Sequence, residues 1–253
     1  MRQAGALERR TEHVSDVGMT ADDPSHEHRP ERPIPPYAQF RDFLDAQTHR
    51  ALLDWVSARR DGFASATVTK SKAGHGNRLD PQVRVALKLR ELGPLESVLS
   101  ERFLAVLPVA MAAAGSRGAE PRSLELELTA YGDGAYFKPH LDIPIGPDRN
   151  PLGAREGEDR VISAVYYFHN RPKGFSGGRL RLFRFGSDPG EHREGDSVAI
   201  EPIDNSLLVF PSWAQHEVEP VSCPSGEFDD YRYAVNCWYC RPLRPLDAGT
   251  GAR

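Results

Sequence analysis

Charged and apolar residues alternate through Leu124-Glu125-Leu126-Glu127-Leu128, a period of two that marks a strand with one face in a core. The Gly-rich turn Tyr131-Gly132-Asp133-Gly134-Ala135-Tyr136 follows it. Arg160 to Phe168 (RVISAVYYF) is β-branched and aromatic without a breaker and reads as a buried strand. Gly177 and Gly178 open a further alternating run to Phe183, and the apolar stretch Asn205 to Pro211 (NSLLVFP) leads into Trp213 to Val218. In the last strand, Arg232 to Tyr239, the same period places Arg232, Ala234, Asn236 and Trp238 on one face. Ahead of the strands, Asp45 to Val56 has the apolar spacing of an amphipathic helix beginning after an Asp cap. Two more helical regions are predicted over Pro81 to Leu92 and Leu95 to Ala114. The pattern describes an α+β chain, mainly β, with N-terminal helices packed outside a sheet. There is no internal repeat.

Composition separates this body from its ends. Met1 to Pro36 is rich in Arg, Glu, Asp, His and Pro, with too little apolar surface to offset its own ordering entropy. It reads as a disordered extension, and His13, His26 and His28 within it as solvated linker residues. One domain is expected over residues 37–243, with a flexible tail over 244–253. A net charge of −4 argues against a nucleic-acid or anionic-membrane partner. No apolar run is long enough to span a bilayer and no signal-peptide pattern opens the chain, so a cytoplasmic location is expected. Three cysteines give no disulfide framework. Cys237 and Cys240 form a CxxC, but three residues apart on a strand they point to opposite faces, which favours core packing over a zinc or redox site.

The candidate chemistry lies in Pro139-His140-Leu141-Asp142 and in Trp213-Ala214-Gln215-His216-Glu217-Val218. Residues i and i+2 of a strand share a face, so His140 and Asp142 can bind one ion while His216 closes the triangle. Two imidazoles and a carboxylate are the ligands of a facial iron site that leaves positions open for chemistry. Arg232, fixed on a strand beside such a site, suits a carboxylate-bearing ligand held by two parallel charge-assisted bonds.

From Leu124 to Trp238 the order of these parts resembles the iron(II)- and 2-oxoglutarate-dependent oxygenases, in particular their prolyl 4-hydroxylase-like branch. The resemblance implies a double-stranded β-helix, or cupin-like jelly roll, with helices supporting one face. It makes His140, Asp142 and His216 the metal ligands and Arg232 the residue that grips the far carboxylate of the co-substrate. Tyr131, in the AYGDGAY turn, and Tyr167, in the VYYF strand, match tyrosines that approach the same co-substrate. Arg232 lies farther beyond His216 than in many relatives, and the turn formers of Cys223 to Asp230 (CPSGEFDD) absorb the excess. Arg179 and Arg181 are the next basic candidates. Asn236 and Trp238 are expected to line the pocket, although barrel filling explains them equally, and His169 and Glu217 read as supports behind the ligands or as structural.

The implied reaction is hydroxylation of an unactivated C–H bond with release of succinate and CO2, on a prolyl residue or a proline-like substrate. Fe(II), 2-oxoglutarate and O2 are the implied cofactor and co-substrates, with ascorbate as reductant. Halogenating relatives lack the carboxylate, so Asp142 points to hydroxylation. A small metabolite or a free amino acid is the alternative substrate. A hydrolase or isomerase using the same ligands on zinc or manganese gives Arg232 no purpose, and a silent binding module would be favoured only by a lost ligand. The expected partner is therefore a protein, peptide or small-molecule substrate, with neither nucleic acid nor membrane. Two loops bear on access. Lys70 to Arg78 is basic and Gly-punctuated, a mobile surface loop or else a lid. Ile143 to Asp159, a long Pro- and Gly-rich link after the ligands, is expected to shape the entrance.

Overall fold

The structure is a computed structural model that describes residues 32–69, 77–89, 91–117, 120–143, 158–187, 190 and 195–242. The expected N-terminal extension up to residue 31, the tip of the 70–78 loop, most of the 143–159 link and the C-terminal tail lie outside the described residues.

The chain opens with β1 (Ala38–Arg41) and α1 (Ala46–Ala58), then the short strands β2 (Ala64–Ser65), β3 (Val68–Thr69), β4 (Asn77–Arg78), β5 (Arg84–Val85) and β6 (Leu87–Leu89). Helices α2 (Leu95–Ala105) and α3 (Leu107–Ala113) follow. The body then runs through β7 (Ser123–Tyr131), β8 (Tyr136–His140), β9 (Glu158–Phe168), β10 (Ser176–Gly177), β11 (Leu180–Phe183) and β12 (Ser197–Ile200). It ends with β13 (Ser206–Pro211), β14 (His216–Val218), β15 (Val221–Ser222) and β16 (Arg232–Pro242). A seven-stranded antiparallel sheet has the order β1-β13-β9-β16-β7-β6-β2, and a five-stranded one the order β12-β11-β14-β8-β5. These are the two sheets of the expected double-stranded β-helix.

Side-chain alternation assigns each face of the large sheet. Ile162, Ala164, Tyr166 and Phe168 of β9 join Leu207 and Val209 of β13 and Tyr233, Val235, Cys237 and Tyr239 of β16 in a core shared with the helices. Val165, Tyr167, Leu208, Phe210 and Ala234 turn the other way, onto Leu180 and Leu182 of the small sheet. The central strands lack a polar alternation because both of their faces are covered. On β7, Leu128 and Ala130 belong to the helix-side core. The alternate residues Glu127 and Tyr131 face the site.

Helix α1 follows the expected pattern. Asp45 caps it, accepting from Thr48 N at 2.9 Å, while Leu52, Leu53 and Val56 are buried. The expected third helix is split at Val106, because Pro108 at the start of α3 has no N–H to continue the ladder. The expected helix over Pro81 to Leu92 is not formed. Val83, Val85, Leu87 and Leu89 alternate with period two, and the chain there makes β5 and β6. β5 pairs with β8 of the small sheet and β6 with β7 of the large one, so this segment crosses between the sheets at Ala86. The chain is also engaged before Tyr37: Arg184 donates to Arg32 O at 2.7 Å and Phe185 N to Pro33 O at 3.1 Å.

Asn205 ties the start of the chain to the sheet. At φ 55° it holds a left-handed backbone, its Oδ1 accepts from Leu44 N and Tyr166 Oη at 3.0 and 3.1 Å, and its Nδ2 donates to Leu44 O at 2.9 Å. Asn205→Ala loses these bonds and keeps an unfavourable φ, so it is expected to cost about 2–4 kcal/mol. Asn205→Gly, which relieves the backbone alone, is expected to cost less than the alanine variant. Urea unfolding of both variants checks this; equal losses would place the cost in the side-chain bonds alone.

Candidate metal and co-substrate site

Three side chains, two on strands and one just beyond a strand, meet at one end of the small sheet. β8 ends on His140 and β14 begins on His216, and the antiparallel register sets these two residues directly opposite, with ring centroids 4.2 Å apart. Asp142 lies just beyond β8, where its N–H donates to Ser212 O at 3.1 Å. One donor atom from each of the three lies within 4.8 Å of the others. Nε2 of His140 is 3.8 Å from one Asp142 oxygen and Nε2 of His216 is 3.7 Å from the other. Those separations are too long for hydrogen bonds and leave the donors facing across a gap.

Neighbours orient all three. His140 Nδ1 faces Lys138 O at 2.8 Å and His216 Nδ1 faces Ala214 O at 2.9 Å. A carbonyl only accepts, so each Nδ1 carries the proton and each Nε2 keeps its lone pair for an ion. Burial, and then the neighbouring His216, push the His140 imidazole down to about 3, so it is neutral in ordinary solution. Burial alone would raise the Asp142 carboxyl, but His216, His140 and the Ser163 hydroxyl hold it below its ordinary range. Ser163 Oγ donates to Asp142 at 2.6 Å and lies 3.0 Å from Ser212 Oγ. Phe137 stacks on His140 at 3.5 Å and Phe210 sets its edge against His216 at 4.8 Å. Two imidazole nitrogens and a carboxylate, preformed and oriented from behind, fit a ferrous ion with open positions.

Arg232 lies in the same cavity, as the first residue of β16, and is only 2% exposed. Its guanidinium sits 4.8 Å from the ring centres of both Tyr131 and Tyr167. Among the described residues no carboxylate pairs with it, and both its Nε and the Tyr167 hydroxyl are enclosed without a hydrogen-bond partner. Burial chiefly pushes the Tyr167 phenol up to about 12, so it remains a donor. A buried cation with spare donors beside a neutral phenol is a seat for a carboxylate. The second glycine of the GG pair makes room for it: a Cβ on Gly178, at φ 65°, would lie 2.7 Å from Arg232 Cδ.

The structure thus brings together His140, Asp142, His216, Arg232, Tyr131, Asn236 and Trp238 around one cavity, with Tyr167 behind Arg232. Arg179 and Arg181 are tied elsewhere: Arg179 Nε donates to Glu219 at 2.6 Å and Arg181 pairs with Glu217 at 3.2 Å. Glu217 is accordingly structural, and His169 bonds the Asn170 carbonyl and packs on Phe175. Cys237 and Cys240 are buried free thiols. Sequence reasoning missed Ser163, Phe137, Arg84, Glu127 and the Glu125–Arg160–Trp238 stack. In that stack Arg160 bridges Glu125 at 2.6 and 3.0 Å and lies 3.8 Å over the Trp238 ring. The glutamates of LELEL and the lone serine inside RVISAVYYF were the available signals, since a polar residue on the inward face of a buried strand needs a partner there.

Ser163→Ala is expected to leave the fold intact and weaken divalent-metal binding by about 10–100-fold, because it removes the hydrogen bond that orients the ligating carboxylate. Titration of the apoprotein with Fe(II) or Mn(II) measures this. Gly178→Ala is expected to leave that metal affinity unchanged while weakening 2-oxoglutarate binding, through the displaced Arg232.

A model of the 2OG-Fe(II) oxygenase superfamily matches residues 126–240, the span that contains every one of these groups. A relative from Synechocystis, an uncharacterized PKHD-type hydroxylase, is 29% identical over 212 residues, which cover 80% of this chain and 62% of that protein. The chain thus spans about three-fifths of the curated relative's length. In architecture it is similar to a Pseudomonas putida prolyl-4-hydroxylase (TM-score 0.52, 21% identity, 83% of this chain and 94% of that one). It is also similar to a Trichoplax adhaerens prolyl hydroxylase solved with a hypoxia inducible factor peptide (TM-score 0.56, 20% identity, 81% and 83%). Residues 126–240 thus match the 2OG-Fe(II) oxygenase superfamily, within an architecture similar to that of these two solved structures.

Proposed function

We propose that this protein is an Fe(II)- and 2-oxoglutarate-dependent hydroxylase acting on an unactivated C–H bond of a prolyl or proline-like substrate. The observation that carries the reading is the coexistence, on one cavity, of the His140–Asp142–His216 donor set and a buried Arg232 with unmatched hydrogen-bond capacity. A metal-dependent hydrolase would use the first feature and leave the second without a purpose. His140, Asp142 and His216 hold the ion, and Arg232 binds the 5-carboxylate of 2-oxoglutarate, with Tyr131 and Tyr167 flanking its guanidinium. Asn236 and Trp238 wall the cavity beyond Arg232.

When bound, the iron and 2-oxoglutarate supply oxidation of a C–H bond by dioxygen, with succinate and CO2 as co-products. The protein's own contribution is positional. The Nδ1 contacts to Lys138 O and Ala214 O keep both imidazoles aimed with Nε2 toward the ion, and Ser163 holds the carboxylate. Phe137, Phe210 and the inter-sheet core exclude water from one side. Ascorbate is the reductant assigned to this reading, and a reducing cytoplasm suits both a ferrous ion and three free thiols. The prolyl substrate class follows the names of the two architectural neighbours, and the Synechocystis relative's name supports a hydroxylase.

The test couples succinate release to mass analysis of candidate substrates for one added oxygen. His216→Ala is expected to abolish coupled turnover, and full activity in that variant would sink the assignment. In Arg232→Ala a dianionic co-substrate is left partly unpaired, a loss of about 2–5 kcal/mol. The 2-oxoglutarate concentration for half-maximal rate is then expected to rise well over tenfold with metal affinity little changed. Arg232→Lys should recover part of the loss, since it keeps the charge without the two-pronged geometry.

A further inference from the structure

A second arginine lines the metal cavity, and neither metal nor co-substrate accounts for it. Arg84, the first residue of β5, is 9% exposed and lies among the cavity walls with His140, Asp142 and Arg232. One of its terminal nitrogens donates to Glu127 at 3.0 Å, while its Nε is enclosed and bonds nothing. The guanidinium lies 4.8 Å from the Phe137 ring centre, and Phe137 in turn stacks at 3.5 Å on the iron ligand His140. A single aromatic ring therefore separates this cation from the ligand set. Its pairing with Glu127 is also shared: Lys88 approaches the other Glu127 oxygen at 3.6 Å and donates to Thr67 at 3.1 Å. Two cations thus meet one carboxylate.

2-Oxoglutarate has two carboxylates. One goes to the metal and the other to Arg232, so Arg84 calls for a third anionic group. We propose that Arg84 is the anchor for a free carboxylate on the primary substrate, and that this substrate is a small molecule of amino-acid size rather than an internal prolyl residue of a protein. Two features support this. The guanidinium bonds Glu127 through one terminal nitrogen and has Tyr131 beside it, and its Nε–H is a donor still without a partner, which a carboxylate would satisfy. An internal prolyl residue has no charge to offer there, and would bury Arg84 with its donors still unmatched. The short path through Phe137 sets the scale, since a carboxylate on Arg84 and a carbon at the metal must belong to one compact molecule.

The proposal rests on the oxygenase reading, so 2-oxoglutarate binding to the Fe(II)-loaded, oxygen-free protein is measured first, through its charge-transfer absorption. No such binding sinks the oxygenase reading itself. With both bound, N-acetyl-L-proline and N-acetyl-L-prolinamide are titrated calorimetrically as probes that differ by one charge. The parent is expected to bind the carboxylate about tenfold or more tightly than the amide. In Arg84→Met that ratio should fall to about one with 2-oxoglutarate affinity unchanged, and Arg84→Lys should restore part of it. Glu127→Gln removes the competing carboxylate and should tighten binding of the acid, which tests the idea even if Arg84→Met fails to fold. Equal affinity for the two probes in the parent, or no binding of either, overturns the proposal. So does a ratio preserved in Arg84→Met, or an Arg84→Met whose loss falls on 2-oxoglutarate instead.

Discussion

The antiparallel pairing of β8 with β14 is the constraint from which the site follows. His140 and His216 are far apart in sequence, yet the register sets them opposite each other at neighbouring strand ends. A slip of one residue would turn either imidazole to the opposite face of the small sheet. The register is pinned from both sides. β11 pairs with β14, setting Leu182 opposite His216, and Asp142 is held to the end of β13 through Ser212. Ser163, on the central strand β9, then contacts both Asp142 and Ser212, so the large sheet fixes the one ligand that lies beyond the small sheet's strands.

The division of labour between the two faces of the large sheet explains how so much charge is tolerated inside. The helix-side face is apolar, and Phe43, Phe103 and Tyr166 pack at ring separations of 5.0 and 5.1 Å against it. Apolar burial at that face, worth on the order of 25 cal/mol per Å², provides the stability. The site face carries Glu125, Glu127, Tyr131, Ser163, Tyr167 and Arg232, and the Tyr167 hydroxyl and Arg232 Nε lack partners. An isolated buried cation is costly, so its persistence at Arg232 marks a position selected for what it binds.

Legibility in the sequence followed the strength of local periodicity. The HxD pair, the distal histidine and Arg232 were all readable because a period of two makes facing unambiguous and each lies on or next to a strand. Helix α1 was readable from its Asp45 cap and apolar spacing. The segment from Pro81 to Leu92 was misread because ALKL suits a helix locally, whereas its pairing partners, Phe137 and Ala130, lie far along the chain. That error hid Arg84, since only a strand that crosses between the sheets brings position 84 to the cavity. Ser163 was hidden differently: a small polar residue in a buried strand shows its purpose only when its partner, Asp142, is known to lie across from it.

The two buried arginines differ in how the fold supports them, and the difference bears on what each does. Arg232 is clamped between two aromatic rings, with Gly178 at its back and no counter-ion among the described residues. Such a group is built for one ligand of fixed charge that is present in every turnover. Arg84 rests on a single ring and shares Glu127 with Lys88, so it remains partly neutralised when nothing is bound. A pre-paired cation exchanges one partner for another at smaller cost than a bare one would, and it discriminates by charge through that exchange. The fully unpaired arginine therefore suits the obligatory co-substrate, and the pre-paired one suits the group that must be selected.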